Sequence, residues 1–337
     1  MLEIGRDCAG AFSVLPEGER PTIAAHPAAA LEPAELSRLL LSRGHSVPDA
    51  ARPRRFSLAG AQDKVAVIVR GDTFALPDQA HPSNAILKFE TIRWVCFAEH
   101  AGNALARRLG LDVPRTSYRV HDGTPYLLVA RYDRRTVTGA SGEVIERLHQ
   151  EDLAQALGYP SSRKYESDGG PKLHQISELL RRHVQDPVRE LERLRDWQIT
   201  NYLIGNYDGH AKNLSILYEP TGSVPVLAPF DDMVCIELMN RIGVSSYERA
   251  LAFSIGGASE PERIRRSDWE QWAKAMAFAP RRVLSRLEEL ALAAPPVARE
   301  ERAAFATVHG DNQAYDYFEE SIDDRCRWVL NAVIARR

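Results

Sequence analysis

Two short segments in the second half of the sequence carry side chains suited to moving a phosphoryl group. In Asn206-Tyr207-Asp208-Gly209-His210-Ala211-Lys212-Asn213, Asp208 stands five positions before Asn213. A carboxylate at the first position can accept the proton of an attacking hydroxyl, and an amide five residues on can turn its carbonyl oxygen toward Mg²⁺. Gly209 permits a tight backbone turn between them. A polar loop using Asp and Asn only as turn formers is the competing reading, because short motifs match by chance. The second segment, Pro229-Phe230-Asp231-Asp232, directly follows the strand-like Val224–Ala228. Either aspartate there can hold Mg²⁺ across two phosphates, and hard oxygen donors with no neighbouring cysteine favour Mg²⁺ over zinc. An Asp-Asp turn closing the strand is the plainer alternative.

Upstream, Lys88 lies inside the apolar run Ala85–Phe89. A lysine in such a strand is costly unless it is paired; Glu99, in the helical stretch that follows, is the candidate partner, and an exposed strand face is the alternative. Ser57-Leu58-Ala59-Gly60-Ala61-Gln62-Asp63-Lys64 precedes a strand, and its small residues would let backbone N–H groups approach phosphates. With one glycine it is a weak signal alone, and it is not a Walker loop. Small-residue loop, strand lysine, helix glutamate, Asp-x₄-Asn loop and post-strand aspartate follow the chain order of a protein kinase, and that joint order outweighs any single match.

The elements that must position these groups follow from periodicity. Pro33–Ser42 reads as a helix stopped at Gly44. Lys64–Arg70, Ala85–Phe89 and Pro125–Ala130 read as strands, and Thr91–Leu109 as a helix ended by Gly110. Beyond Thr136 the pattern turns helical: a helix start over Gln150–Leu157, a helix with a buried stripe over Pro187–Gly205, and mostly helix after Arg263. Between these, Leu214–Tyr218 and Val224–Leu227 flank a turn. The expectation is an α+β, two-lobed fold: a small sheet-containing lobe over residues 1–130 and a larger, mostly helical lobe over 131–337, with ligand between them.

Composition narrows the function classes. The chain has 337 residues, 44% hydrophobic and 26% charged, which suits a sizeable core and excludes global disorder. A net charge of −3 argues against a whole-protein grip on nucleic acid. The runs Arg52-Pro53-Arg54-Arg55 and Arg263–Arg266 read as solvated faces more readily than as nucleic-acid patches, so no direct sequence-specific nucleic-acid binding is expected. No run is long and apolar enough to span a membrane and no signal peptide is visible, which predicts a cytoplasmic protein with no membrane partner. Cys8, Cys96, Cys235 and Cys326 are far apart and read as reduced thiols.

These segments, with Gly5-Arg6-Asp7-Cys8-Ala9-Gly10-Ala11, Arg131-Tyr132-Asp133-Arg134-Arg135, Gln150-Glu151-Asp152, Pro160-Ser161-Ser162 and Lys164-Tyr165-Glu166-Ser167-Asp168-Gly169-Gly170-Pro171, resemble the HipA-type serine/threonine kinases of toxin–antitoxin modules over nearly the whole chain. The resemblance implies a kinase-like fold with ATP and Mg²⁺ as cofactors. It makes Asp208 the catalytic base and gives Mg²⁺ to Asn213 and Asp232. Lys88, paired with Glu99, would contact ATP phosphates, with Lys64 and His210 adding phosphate or substrate contacts and Lys212 near the nucleotide. Ser57, Ala59, Gly60 and Gln62 would form the phosphate loop. Ala130 and Tyr132 would offer hinge backbone to adenine, Asp133 would hold the ribose, and Gln150 would line the pocket. Ser57, rather than Ser83, falls where the family autophosphorylates. Asp231 replaces the family's usual tyrosine. The start of the chain resembles the short HipT form, which implies a small HipS-like antitoxin, a HipB-like DNA-binding antitoxin and an aminoacyl-tRNA synthetase as protein substrate, the tryptophanyl or the glutamyl enzyme. A small-molecule kinase and a non-catalytic corepressor subunit are the rival functions.

Overall fold

The computed structural model describes residues 7–13, 17–18, 20, 28–45, 62–78, 80–139, 142–218, 224–244 and 247–335. In chain order the regular elements are α1 (Pro33–Leu41), β1 (Lys64–Arg70), β2 (Thr73–Ala75), β3 (Ala85–Phe89), α2 (Val95–Arg108), β4 (Thr116–His121), β5 (Thr124–Ala130), β6 (Arg134–Gly139), β7 (Gly142–Arg147), β8 (His149–Asp152), α3 (Leu153–Ala156), α4 (Leu173–His183), α5 (Pro187–Ile204), β9 (Ser215–Tyr218), β10 (Val226–Leu227), α6 (Ile236–Arg241), α7 (Arg266–Ala275), α8 (Pro280–His309) and α9 (Ala314–Trp328). The fold is α+β, as the periodicity predicts. The chain divides into two compact units: residues 1–96, 114–150 and 217–223 form one, and 97–113, 151–216 and 224–337 the other.

In the first unit a five-stranded sheet runs in the order β2-β1-β3-β5-β4, and every pairing that builds it is antiparallel. Alternate residues decide its faces. Val65 and Val67 of β1, Leu87 and Phe89 of β3, and Tyr126 and Leu128 of β5 join Leu36, Leu39 and Leu40 of α1 in one apolar core. Lys88 lies between two of these core residues and so takes the opposite face, where register sets it beside Lys64 and Leu127. Pro33 at the helix start and a reciprocal Glu32–Glu35 cap fix the entry to α1.

The first unit also takes in residues 131–150, which the sequence reading gave to the helical lobe. The reason is a hairpin, β6–β7, paired from Arg134↔Arg147 to Gly139↔Gly142. Its sequence, RRTVTG and GEVIER, is too polar to announce a strand. Gln150–Asp152 likewise form β8 rather than the start of a helix, and only Leu153–Ala156 turn helical after an Asp152 cap. The strands β2 and β4 are not marked by the sequence pattern.

The second unit is mainly helical. Helix α5 buries Leu191, Leu194, Trp197, Ile199, Tyr202 and Leu203, and it stops at Gly205, whose φ of 67° gives a left-handed cap. A Cβ on Gly205 would lie 2.6 Å from Cβ of Glu237 on α6, so glycine is also required by close packing. Helix α2 begins at Val95, not Thr91. The Glu90 carboxylate accepts the N–H groups of Trp94 and Cys96, and Trp94 takes φ 66°, so the first helical turn forms only after it. All four cysteines are free thiols.

Candidate active site

The chain leaves α5 through Gly205 directly into Asn206, which is buried and uses its whole side chain. Its Nδ2 donates to Asn201 Oδ1 at 2.8 Å and to the Asp232 carbonyl at 3.0 Å, while its Oδ1 accepts the Asp208 N–H at 3.2 Å. One amide thus ties the backbones of two aspartates that the sequence separates widely. Sequence reasoning gave Asn206 no role, because its partner segment cannot be read from its neighbours. Gly209 packs against the Asn201 side chain, where a Cβ would come within 3.1 Å.

After Asp208 the loop closes in a single 3₁₀ turn, Ala211–Asn213. The Asn213 amide caps it: Oδ1 accepts the His210 N–H at 2.9 Å, and Nδ2 donates to Asp232 Oδ2 at 3.0 Å. The His210 donor fixes which end of the amide faces which partner. Asp232 has φ 54°, left-handed backbone that a non-glycine residue holds only when its surroundings enforce it. The enforcing contacts are the Asn206 bond to its carbonyl and the packing of α2, where a Cβ on Gly102 would lie 2.1 Å from the Met233 carbonyl oxygen. Further back, the Phe230 N–H donates to the Asp112 carbonyl and the Cys235 N–H to that of Ala98.

Electrostatics separates the groups. The Asp208 side chain is 51% exposed, and its Oδ1 lies 4.0 Å from His210 Nε2. Burial pushes the His210 imidazole below its usual value, with the Asp208 charge opposing, so the ring is mostly neutral near pH 7. Lys212 is half-buried, and its charge acts on Asp152. Glu99 is only 1% exposed within α2.

The first unit holds the other expected residues. Lys88 is 3% exposed. Gln62 donates to the Phe89 carbonyl at 2.9 Å, which ties the strand entry to β3. The Ala130 N–H is used within the sheet by the Arg115 carbonyl. The Tyr132 hydroxyl donates to Gln150 Oε1, and Gln150 Nε2 donates to Asp133 Oδ2 at 3.1 Å. Asp133, which the resemblance gives to the ribose, sits in an ion-pair network. It is buried, Arg131 bonds both its oxygens, and the Gly10 N–H and the Arg134 guanidinium reach Oδ2 at 2.7 and 2.9 Å. Burial alone would raise its carboxyl, but the two guanidiniums outweigh that and hold it below the ordinary value. Asp133 therefore anchors the Asp7–Gly10 segment. Ser83 belongs to the same network, fully buried and bonded to Asp7 and Arg131. Ser57, Ala59 and Gly60 lie outside the described residues.

The arginine run at 263–266 pairs internally: Arg263 with Glu260, Arg266 with Glu270, and Arg265 over the Trp328 ring. Among the described residues, no helix is long and apolar enough to cross a membrane.

This architecture has relatives. The family described as the HipA-like C-terminal domain matches residues 56–298. The chain belongs to that family. Y4mE of Sinorhizobium fredii, which carries a kinase name, is 33% identical over 97% of this chain and 77% of its own length. The serine/threonine-protein kinase toxin HipA of Shewanella oneidensis is 27% identical over 98% of this chain and 76% of its own. In solved structures, HipA of Shewanella oneidensis MR-1, in complex with HipB and operator DNA, superposes with a TM-score of 0.82 at 23% identity, covering 97% of this chain and 77% of that one. The Helicobacter pylori proinflammatory kinase CtkA gives a TM-score of 0.51 at 12% identity, covering 81% of this chain and 91% of that one. The fold is thus HipA-like and kinase-like, and the named relatives carry kinase names.

Proposed function

We propose that the chain is an ATP-dependent serine/threonine protein kinase, acting as the toxin of a toxin–antitoxin pair in the cytoplasm. The observation that carries this is the convergence of Asp208, Asn213 and Asp232 through the Asn206 amide and the Asn213–Asp232 bond. Asp208, half exposed, accepts the proton of the acceptor hydroxyl as its oxygen bonds to the γ-phosphorus and the bond to ADP breaks. The Asp232 carboxylate is a hard donor that fits Mg²⁺; the Asn213 amide turns Nδ2 to Asp232 and its Oδ1 to the His210 N–H, so Oδ1 would join the ion through its second lone pair once the ion replaced the Nδ2 bond. Asn213 and Asp232 would hold it, and it would neutralise phosphate charge.

Other observations support the nucleotide reading. Lys64 and Lys88 are direct register partners on neighbouring strands, which sets two ammonium-bearing side chains side by side on one face, as a phosphate-contacting pair requires. Autophosphorylation at Ser57, a HipB-like antitoxin and an aminoacyl-tRNA synthetase as acceptor follow from kinship and belong to the same proposal. The test is labelled ATP with Mg²⁺ and a cell lysate, followed by identification of the labelled protein. Asp208→Asn should remove label from both acceptor and chain by at least about a hundredfold. Label persisting in that variant would remove Asp208 from its role.

A further inference from the structure

The segment Lys164–Pro171 is among the most distinctive in the sequence, yet the phosphoryl-transfer reading leaves it without work. Its geometry points to one. The Tyr165 hydroxyl donates to Asp208 Oδ1 at 2.5 Å. The other oxygen, Oδ2, receives no hydrogen bond from the described residues, and the carboxylate is half exposed. We propose that Tyr165 is a positioning residue: its phenol holds one oxygen of Asp208 so that the other faces the acceptor hydroxyl. This rests on Asp208 being the base.

The segment is built to deliver that hydroxyl. Residues Glu166–Asp168 form a 3₁₀ turn capped by Gly169 at φ 74°. The Asp168 and Gly170 N–H groups both return to the Tyr165 carbonyl, at 3.2 and 2.9 Å. A Cβ on Gly170 would lie 2.5 Å from the Arg163 carbonyl oxygen and 2.6 Å from that of Tyr165, so only glycine allows the fold-back. The Glu166 carboxylate accepts both the N–H and the hydroxyl of Ser254, pinning the turn. The Tyr165 ring is itself clamped, with Lys164 Nζ 4.6 Å from its centroid and the His210 ring edge-on at 5.2 Å. The Lys164 carbonyl accepts the Ala211 N–H at 3.4 Å, which joins the segment to the loop. Burial first, and then the Asp208 hydrogen bond and charge, keep the phenol protonated well above its usual value, so it stays a donor.

A carboxylate free to rotate presents its reactive oxygen only part of the time, and small misplacements of a reacting group are costly in rate. Tyr165→Phe keeps the ring and its contacts and removes only the donor. With labelled ATP, Mg²⁺ and lysate protein as acceptor, the maximal rate should fall by about tenfold to a hundredfold. The KM for ATP and the thermal midpoint should stay at wild-type values. Ser254→Ala, which loosens the turn without touching Asp208, should move the maximal rate in the same direction and again spare KM. An unchanged maximal rate in Tyr165→Phe, or a loss that appears in KM alone, overturns the positioning role. Two failures are separable by the Asp208→Asn control: if that variant is dead while Tyr165→Phe is fully active, only the positioning role falls. If Asp208→Asn is active, the base assignment falls and takes this inference with it.

Discussion

Asn206 and Gly102 show what residue types and spacing leave out. Asp208, Asn213 and Asp232 can be proposed from the sequence because their chemistry is local: an acid, an amide and an acid, each beside a turn or a strand end. The choice between Asp231 and Asp232 is not local. The structure distinguishes Asp232 by the Asn213 Nδ2 bond to its Oδ2 and by its left-handed backbone. Gly102 is quieter still, a glycine in the interior of α2, where the residue costs about 1 kcal/mol against alanine. Its purpose appears only when the Met233 carbonyl is found where its Cβ would be. Gly102→Ala should therefore reverse the usual helix preference. We expect a loss of about 1–3 kcal/mol in denaturant unfolding. It should also weaken Mg²⁺·ATP binding, measured by calorimetry, because the clash lies one residue from Asp232. A more stable variant with normal binding would mean that the Met233 backbone moves aside without cost.

Elements with a clean period were readable and polar ones were not. The apolar runs of β1, β3 and β5 and the stripe of α5 give their positions, because the three strands are buried almost throughout and the helix presents one apolar face. The β6–β7 hairpin exposes much of both strands, so its sequence carries no alternation to detect. The start of α2 was misplaced for a different reason: a side chain, Glu90, sets the first helical turn, and capping by glutamate from before the helix is a weak signal. The helices also support the candidate site from a distance. The Tyr207 hydroxyl, next to Asp208 in sequence, donates to Glu237 of α6 at 2.8 Å and accepts from Arg325 of α9 at 3.2 Å. Arg325 also bonds Glu262 and lies 5.2 Å from the centroid of the Tyr202 ring. Arg325→Ala removes the buried donor to Tyr207 and the cation over Tyr202 while leaving Glu262 in solvent, so a loss of about 1–3 kcal/mol is expected. Hydrogen exchange should show the loss as reduced protection at Asn206–Leu214 as well as in α9. Protection lost in α9 alone would uncouple that helix from the loop.

At the scale of the molecule, the sheet-rich and helix-rich division follows from periodicity, but its boundary does not. The chain changes unit at residues 97, 114, 151, 217 and 224, and no composition shift marks a crossing made inside a helix or a strand. Stability as a function of pH is also a property of the assembled unit. His100 of α2 is pushed down to about 4, chiefly by burial and then by the charges of His309 and Arg107. Its ring lies 5.9 Å from that of Phe305, which in turn lies 4.5 Å from His309. The sign follows from which state holds the proton. Between the ordinary value near 6.5 and the folded value near 4, the unfolded chain protonates His100 and the folded chain does not, so acid favours unfolding. The stabilisation is complete above the unfolded value and falls as pH drops through this window. At about 1.4 kcal/mol per pH unit, unfolding free energy should drop by about 2 kcal/mol between pH 7 and pH 5 from this group. Urea titrations at the two pH values measure it, and His100→Gln should remove about that part of the difference while leaving the carboxylate-driven decline below pH 4 intact. An undiminished pH 7 to pH 5 difference in His100→Gln would assign the titration to another histidine.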